Sequence, residues 1–236
     1  MWAERMTVDL NCDLGEGAGF DAELLPLITS ANVSCGAHAG SIADIANTLK
    51  LAAQLGVAVG AHPGYPDRKH FGRRELPLAG RDVLEMVHGQ IKYLASLAAT
   101  AGVKLRYVKP HGALYNQACR DDAFADAVVS ACALTALPVI GLPGSRLQER
   151  STGRIHFFAE GFADRRYRSD GSLVPRDQPG AFVENPIDAV EQVRRLIIEG
   201  GVRTICVHGD NPEAVAFVRA VRDELLRSGA ELRPFA

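Results

Sequence analysis

Four of the seven histidines in this chain end a strand-like run and stand within two residues of glycine or proline. They are His38 in "SCGAHAG", His62 in "GAHPG", His111 in "VKPHGALYN" and His208 in "VHGDNP". Other polar groups take the same kind of position: Asn11, Asp13 and Glu16 in "VDLNCDLGEG", Lys109 just before His111, Glu160 at the end of an apolar run, and Asp210 after His208. A lone strand-end histidine is as often a hydrogen-bonded turn residue as a functional one. Four in equivalent positions describe a site. His88, on the flank of an apolar helical stripe, and His156, near the start of a strand, read as structural, and His70 in "YPDRKHFGRRE" stays open.

Two chemistries fit these residue types. An aspartate with two histidines, taken as Asp13, His38 and His62, is a ligand set for a divalent metal with one position open. The same carboxylates and histidines can instead exchange protons without metal, Lys109 stabilising an anion. No local motif of the HExxH kind decides between them. Basic residues collect in "FGRRE" (Phe71–Glu75) and "GFADRRYRSDGSLVPR" (Gly161–Arg176), among them Arg73, Arg165 and Arg176. Exposed charge runs are usually just solvated, but both stretches follow strand ends, where guanidinium groups would hold an anionic substrate or phosphate. The five cysteines form no CxxC pair and read as small buried thiols of a reducing compartment.

What must position such groups is a set of strands whose ends share one face. Strand-like runs over Val8–Cys12, Ala31–Cys35, Val57–Ala61, Leu105–Lys109, Pro138–Leu142, Ile155–Glu160 and Thr204–His208 alternate with helical patterns. The helical patterns cover Ile42–Leu55, Arg81–Ala101, Asp122–Ala136, Pro186–Glu199 and Pro212–Arg227, with a short helix over Asp21–Ser30 and a turn or two over Ser145–Ser151. This alternation predicts parallel βα units. Seven of them fit a single-domain, seven-stranded (β/α) barrel over residues 1–236, incomplete beside the eight-stranded TIM form. A doubly wound sheet is the competing architecture, but no GxGxxG follows the first strand. Period-two phasing puts Asp9, Asn11 and Asp13 on the inward face of the first strand, and barrels carry their chemistry at the C-terminal strand ends. The stretch Gly161–Asn185 is too long for a plain connection and reads as a functional loop. Strand-end polar groups are expected to add little to the core.

Composition narrows the partners. The chain has 236 residues, 47% hydrophobic and 23% charged, with a formal net charge of −2. No basic tract points to nucleic acid, and no apolar run approaches bilayer-spanning length. The opening "MWAERM" lacks the apolar core of a signal peptide, so a cytoplasmic location is expected.

Six stretches in order, "VDLNCDLGEG", "SANVSCGAHAGS", "VGAHPGYPDRKHFGRRE", "YVKPHGALYN", "EGFADRRYRSDGSLVPR" and "CVHGDNP", resemble the LamB/YcsF family, whose members form the A subunit of the bacterial 5-oxoprolinase. The resemblance spans nearly the whole chain. It implies a barrel similar to those of glycoside hydrolases and deacetylases, ATP-driven opening of 5-oxoproline to L-glutamate, and partner subunits B and C. Under it, Asp13, Lys109, His111 and His208 are the expected catalytic groups. Asn11, Glu16, Arg73, Glu160, Arg165, Arg176 and Asp210 are the expected substrate contacts. ATP is then a co-substrate, although no Walker-type loop is present. Two positions depart from the family pattern: Ser41-Ile42 replaces Asp-Pro, and His70 stands where glycine is common. Serine at position 41 is expected to cap the next helix as aspartate would. The alternative activity is that of a metal-dependent deacetylase acting on an N-acetyl sugar or amide. A third reading is a scaffold that only holds ligand for a partner.

Overall fold

A computed structural model describes residues 7–208 and 213–236. Seven parallel strands close on themselves: β1 (Thr7–Leu14), β2 (Ser30–Ser34), β3 (Ala58–His62), β4 (Leu105–Val108), β5 (Val139–Gly141), β6 (Phe157–Phe162) and β7 (Thr204–Cys206). β1 completes the ring by pairing with β2 through Asn11↔Ser30 and with β7 through Asp9↔Thr204. A two-residue strand, β8 (Glu231–Leu232), adds to the start of β1. The expected barrel is therefore the observed fold.

Helices surround the barrel: α1 (Asp21–Leu24), α2 (Ile42–Leu55), α3 (Gly80–Thr100), α4 (Gly112–Arg120), α5 (Asp122–Thr135), α6 (Arg146–Ser151), α7 (Pro186–Gly200) and α8 (Ala214–Arg227). The core lies between the rings. Outward-facing Val8, Leu10, Cys12 and Leu14 of β1 belong to the same buried cluster as Val83, Val87, Ile91 and Leu94 of α3. Ser41 does cap α2: its hydroxyl accepts from the Asp44 amide at 3.1 Å, and the Asp44 carboxylate accepts from the Ser41 amide at 2.8 Å.

Sequence patterning missed α4 and β8. Asp121 ends α4 in an extended conformation (φ −116°) and caps α5, so two helices meet where only the second carries a start signal. β8 is too short for alternation to show. The predicted start of the last helix at Pro212 lies outside the described residues.

The barrel interior is polar and tightly filled. Asp9, Asn11, Ser30, Asn32, Glu160 and Thr204 are all buried inside it. Tyr107 crosses the lumen to donate to Asn32 Oδ1 at 2.8 Å. Only glycine permits this on the neighbouring strand β3, since a Cβ at Gly60 would lie 2.1 Å from the Tyr107 ring. Below, Phe235 packs on Tyr107 and Phe158 and closes the end opposite the site.

Candidate active site

Lys109 is the first residue after β4, and proline at position 110 keeps it extended. Its ammonium donates to Asp13 Oδ1 at 3.0 Å and to Cys206 Sγ at 3.0 Å, and lies 2.9 Å from Glu160 Oε1. Burial works against a charged amine, but Asp13, Cys206 and Glu160 hold the Lys109 pKa well above its ordinary value. Burial likewise opposes ionisation of Asp13, yet His62 and Lys109 keep its carboxyl well below the usual range. Beneath them Asn11 donates to Thr204 Oγ1 (2.6 Å) and Glu160 Oε1 (3.3 Å). Asn32 donates to Asn11 Oδ1 (2.6 Å) and Asp13 Oδ1 (2.8 Å). Asn11 and Glu160, expected as substrate contacts, are fully buried under this layer and brace Lys109 and Asp13 instead.

Three histidines and Glu16 form a second group beside Asp13. His62 Nδ1 lies 2.7 Å from the Lys109 carbonyl, and His111 Nε2 lies 2.8 Å from the Phe71 carbonyl. Carbonyls only accept, so both of those nitrogens carry hydrogen. The remaining nitrogens, His62 Nε2 and His111 Nδ1, face one another at 3.0 Å. His62 Nε2 is also 3.3 Å from Asp13 Oδ2. Glu16 Oε1 is 3.3 Å from His111 Nδ1 and 2.9 Å from His38 Nε2. The His38 and His111 rings stack at 3.8 Å. Burial, then the other two imidazoles, hold the His111 pKa well below its ordinary value; for His62, Asp13 outweighs burial and raises it.

The backbone is shaped to this group. Phe71 and Gly72 both take left-handed conformations (φ 56° and 63°). A Cβ on Gly72 would sit 2.8 Å from the His38 Cβ, so glycine lets the turn cover the two stacked rings. Phe71 accepts a strained conformation that aims its carbonyl at His111.

A third pair was not singled out from the sequence. Asp164 Oδ2 accepts from the His208 backbone amide at 3.1 Å and faces His208 Nδ1 at 2.8 Å. This fixes the ring with Nε2 remaining for the pocket, and Phe162 stacks on it at 5.6 Å. Burial opposes the Asp164 charge, but His208 keeps its pKa below the ordinary value. Asp164 sits inside "GFADRR", next to two arginines; its own signal is the position just past the end of β6.

These groups face one cavity of about 920 Å³, lined among others by Asp13, Glu16, His62, Lys109, His111 and His208. Arg73, Arg165 and Arg176 line its outer wall. Residues 163–183 are more ordered than a loop: Arg165 and Tyr167 bridge Phe182 and Leu173 in antiparallel fashion. Gln192 of α7 staples the segment by donating to the Phe162 and Arg165 carbonyls at 2.8 and 2.7 Å. Arg165 is 6% exposed, its Nη2 donates to the Val174 carbonyl, and its Nε has no partner. Burial, then the charge of Arg176, push its pKa down to about 10. His38 lies behind the cavity wall, His70 pairs with Asp67 at 2.8 Å away from the cluster, and Asp210 lies outside the described residues.

Of the groups proposed from the sequence to hold a metal, the structure sets His38 and His62 with Glu16 and His111, all ligand atoms lying within 4.8 Å of one another. Asp13 groups with Cys206 and His208 by the same measure.

Comparison with known proteins agrees with this architecture. The family model described as LamB/YcsF matches residues 8–236. A protein of Neisseria meningitidis serogroup C, named as the A subunit of 5-oxoprolinase, is 45% identical over 240 residues, covering 95% of this chain and 98% of that one. The crystal structure of the lactam utilization protein from Thermus thermophilus is 41% identical, with a TM-score of 0.89 over 98% of this chain and 100% of that one. A family 4 carbohydrate esterase from Streptomyces lividans shares the fold alone, with a TM-score of 0.54 and 13% identity over 100% and 95% of the two chains. With its barrel, its strand-end histidines and nearly its whole length accounted for in this way, the chain belongs to the LamB/YcsF family.

Proposed function

We propose that this chain is the ring-opening subunit of an ATP-dependent 5-oxoprolinase, hydrolysing the lactam of 5-oxoproline to L-glutamate. The names of its relatives point to the substrate. The observation that carries the reading is one cavity that joins a fixed buried cation, an oriented imidazole and an arginine wall. A five-membered lactam is a stable amide. Phosphorylating its oxygen makes the carbonyl carbon electrophilic enough for water; the ring nitrogen then leaves with a proton, and hydrolysis of the acyl phosphate that remains gives glutamate and phosphate. Arg165, with Arg73 and Arg176, supplies positive charge for the carboxylate or the phosphate. Lys109, locked between Asp13 and Glu160, stabilises the oxyanion that forms when water adds. Asp13 is held ionised and accepts a proton from that water. His208, oriented by Asp164, protonates the departing nitrogen. His111 is less suited to that role, since both ring nitrogens are already engaged.

At about 920 Å³ the cavity is near the upper end for small-molecule sites and far exceeds one five-membered ring acid. The surplus suits a phosphorylated ligand or an inserted partner segment. The relatives carry the name of one lettered subunit, which implies others, and we assign the ATP-dependent step to partner subunits B and C. No helix of the described residues is long and apolar enough to cross a membrane. The deacetylase alternative rests on a fold likeness, which carries no activity. Ring opening is tested by glutamate release from 5-oxoproline with ATP and both partners, compared with acetate release from an N-acetyl sugar.

A further inference from the structure

We propose that Glu16, His62 and His111 hold a divalent transition ion of the zinc or cobalt type, with a further position open to the cavity. The His38 ring, parallel to that of His111 at 3.8 Å, cannot aim a lone pair at the same point and braces Glu16 at 2.9 Å instead. The proposal goes beyond the ring-opening assignment and does not depend on it. Two backbone carbonyls decide the tautomers of His62 and His111, so each ring offers a lone pair to the same point. This is the arrangement in which metal-bound imidazoles are oriented, the far nitrogen donating to a carbonyl. Two lone pairs 3.0 Å apart with a carboxylate oxygen 3.3 Å from one of them repel unless positive charge lies between them.

That charge is either one shared proton or an ion, and the spacing favours the ion. Ligands roughly 2.0–2.1 Å from a tetrahedral zinc lie about 3.3–3.4 Å from each other. The distances here bracket that value: 3.0 Å between His62 and His111, 3.3 Å from His111 to Glu16, and 3.9 Å from His62 to Glu16. A single proton would bridge only two of the three groups. Two imidazoles and one carboxylate with a position open are a donor set suited to zinc or cobalt and poorly suited to magnesium or calcium. Glu16, His62 and His111 reach the cavity wall, so an ion held there would supply Lewis-acid chemistry at the pocket.

Cobalt(II) is the probe, because its visible absorption reports coordination and needs no substrate. The full chain, stripped with chelator, is titrated with cobalt(II) and followed by absorption and by metal analysis. One equivalent with the intense bands of a four-coordinate nitrogen and oxygen site is expected. Glu16→Gln and His111→Ala should each weaken uptake beyond the roughly 10–100-fold typical of losing a mere supporting group. Circular dichroism verifies that each variant folds; Glu16→Gln, which keeps size and shape, carries the test should His111→Ala fail to fold. Cys206→Ser should leave the bands unchanged. Absence of stoichiometric uptake, uptake indifferent to Glu16→Gln, or loss in Cys206→Ser would overturn the proposal, the last moving the ion to the Asp13, Cys206 and His208 group. Failure of 5-oxoproline turnover with cobalt binding intact would count against the ring-opening assignment alone.

Discussion

Lys109 and Asp13 stand 96 residues apart in the chain and meet at 3.0 Å inside the barrel, both nearly free of solvent contact. Removing either partner strands the other in a poorly solvating interior. Lys109→Met keeps the stem and deletes the charge, leaving Asp13 and Glu160 without their cation. Turnover is expected to fall by roughly 100–1000-fold, and unfolding free energy by about 3–5 kcal/mol. Steady-state assay and thermal melting measure the two. Near-normal turnover would make the lysine purely structural. Asp13→Asn should also abolish turnover and lower the melting temperature, though less, because Glu160 still pairs with Lys109. The expectation that strand-end polar groups add little to the core therefore does not suit this pair, because Lys109 is buried and Asp13 is only slightly exposed.

Asp164 acts through His208. Its carboxylate holds Nδ1 at 2.8 Å and so keeps Nε2 turned to the pocket, an orientation that Asp164→Asn loosens. The expected result is kcat reduced roughly 10–100-fold, below the full contribution of a general acid. KM should barely change. An unchanged kcat would show Asp164 to be a loop brace.

Arg165 is buried with an unpartnered Nε at the cavity wall. Its replacement by Gln should raise KM for 5-oxoproline by about 10–100-fold, the worth of one charged hydrogen bond. The des-carboxy lactam 2-pyrrolidinone should bind both forms equally weakly. Equal KM for 5-oxoproline in the two forms would remove Arg165 from substrate recognition.

Much of this was legible in the residues themselves. Strand alternation pointed to the barrel, and period-two phasing put Asp9, Asn11 and Asp13 inside it, because a barrel with a polar lumen forces strict alternation on β1. The strand-end histidines were found by position alone. What phasing cannot show is depth: Asn11 and Glu160 lie on the correct face but one layer below the cavity, where the lumen is filled by Tyr107 and Asn32. Nor does it show loop folding. The pairing of Asp164 with His208 depends on the segment after β6 turning back over β7, and the Phe71 carbonyl reaches His111 only through a left-handed turn. Asx and aromatic residues in loops carry no period to read.

Asp9 gives the barrel a pH signature of its own. Burial, only partly offset by hydroxyls of Ser30, Thr204 and Thr29, raises its pKa to about 6 from 3.8. A carboxyl whose folded pKa is raised binds its proton more tightly when folded. Its contribution to stability is therefore fully present below the unfolded pKa and is lost as pH rises from 3.8 through about 6. A rise of that size corresponds to about 3 kcal/mol. Asp9→Asn should therefore gain stability relative to the parent as pH climbs from about 4 to about 7, by roughly that amount. Parallel denaturant titrations across this range measure it, and a difference independent of pH would refute the assignment.

The most direct test of the ring-opening role is glutamate release from 5-oxoproline by the purified chain, alone and with both partner subunits, with and without ATP. Release is expected only when all components and ATP are present, and it should vanish when Asp13→Asn replaces the parent chain. ATP-dependent release by the chain alone, or undiminished release by the partners with Asp13→Asn, would contradict it.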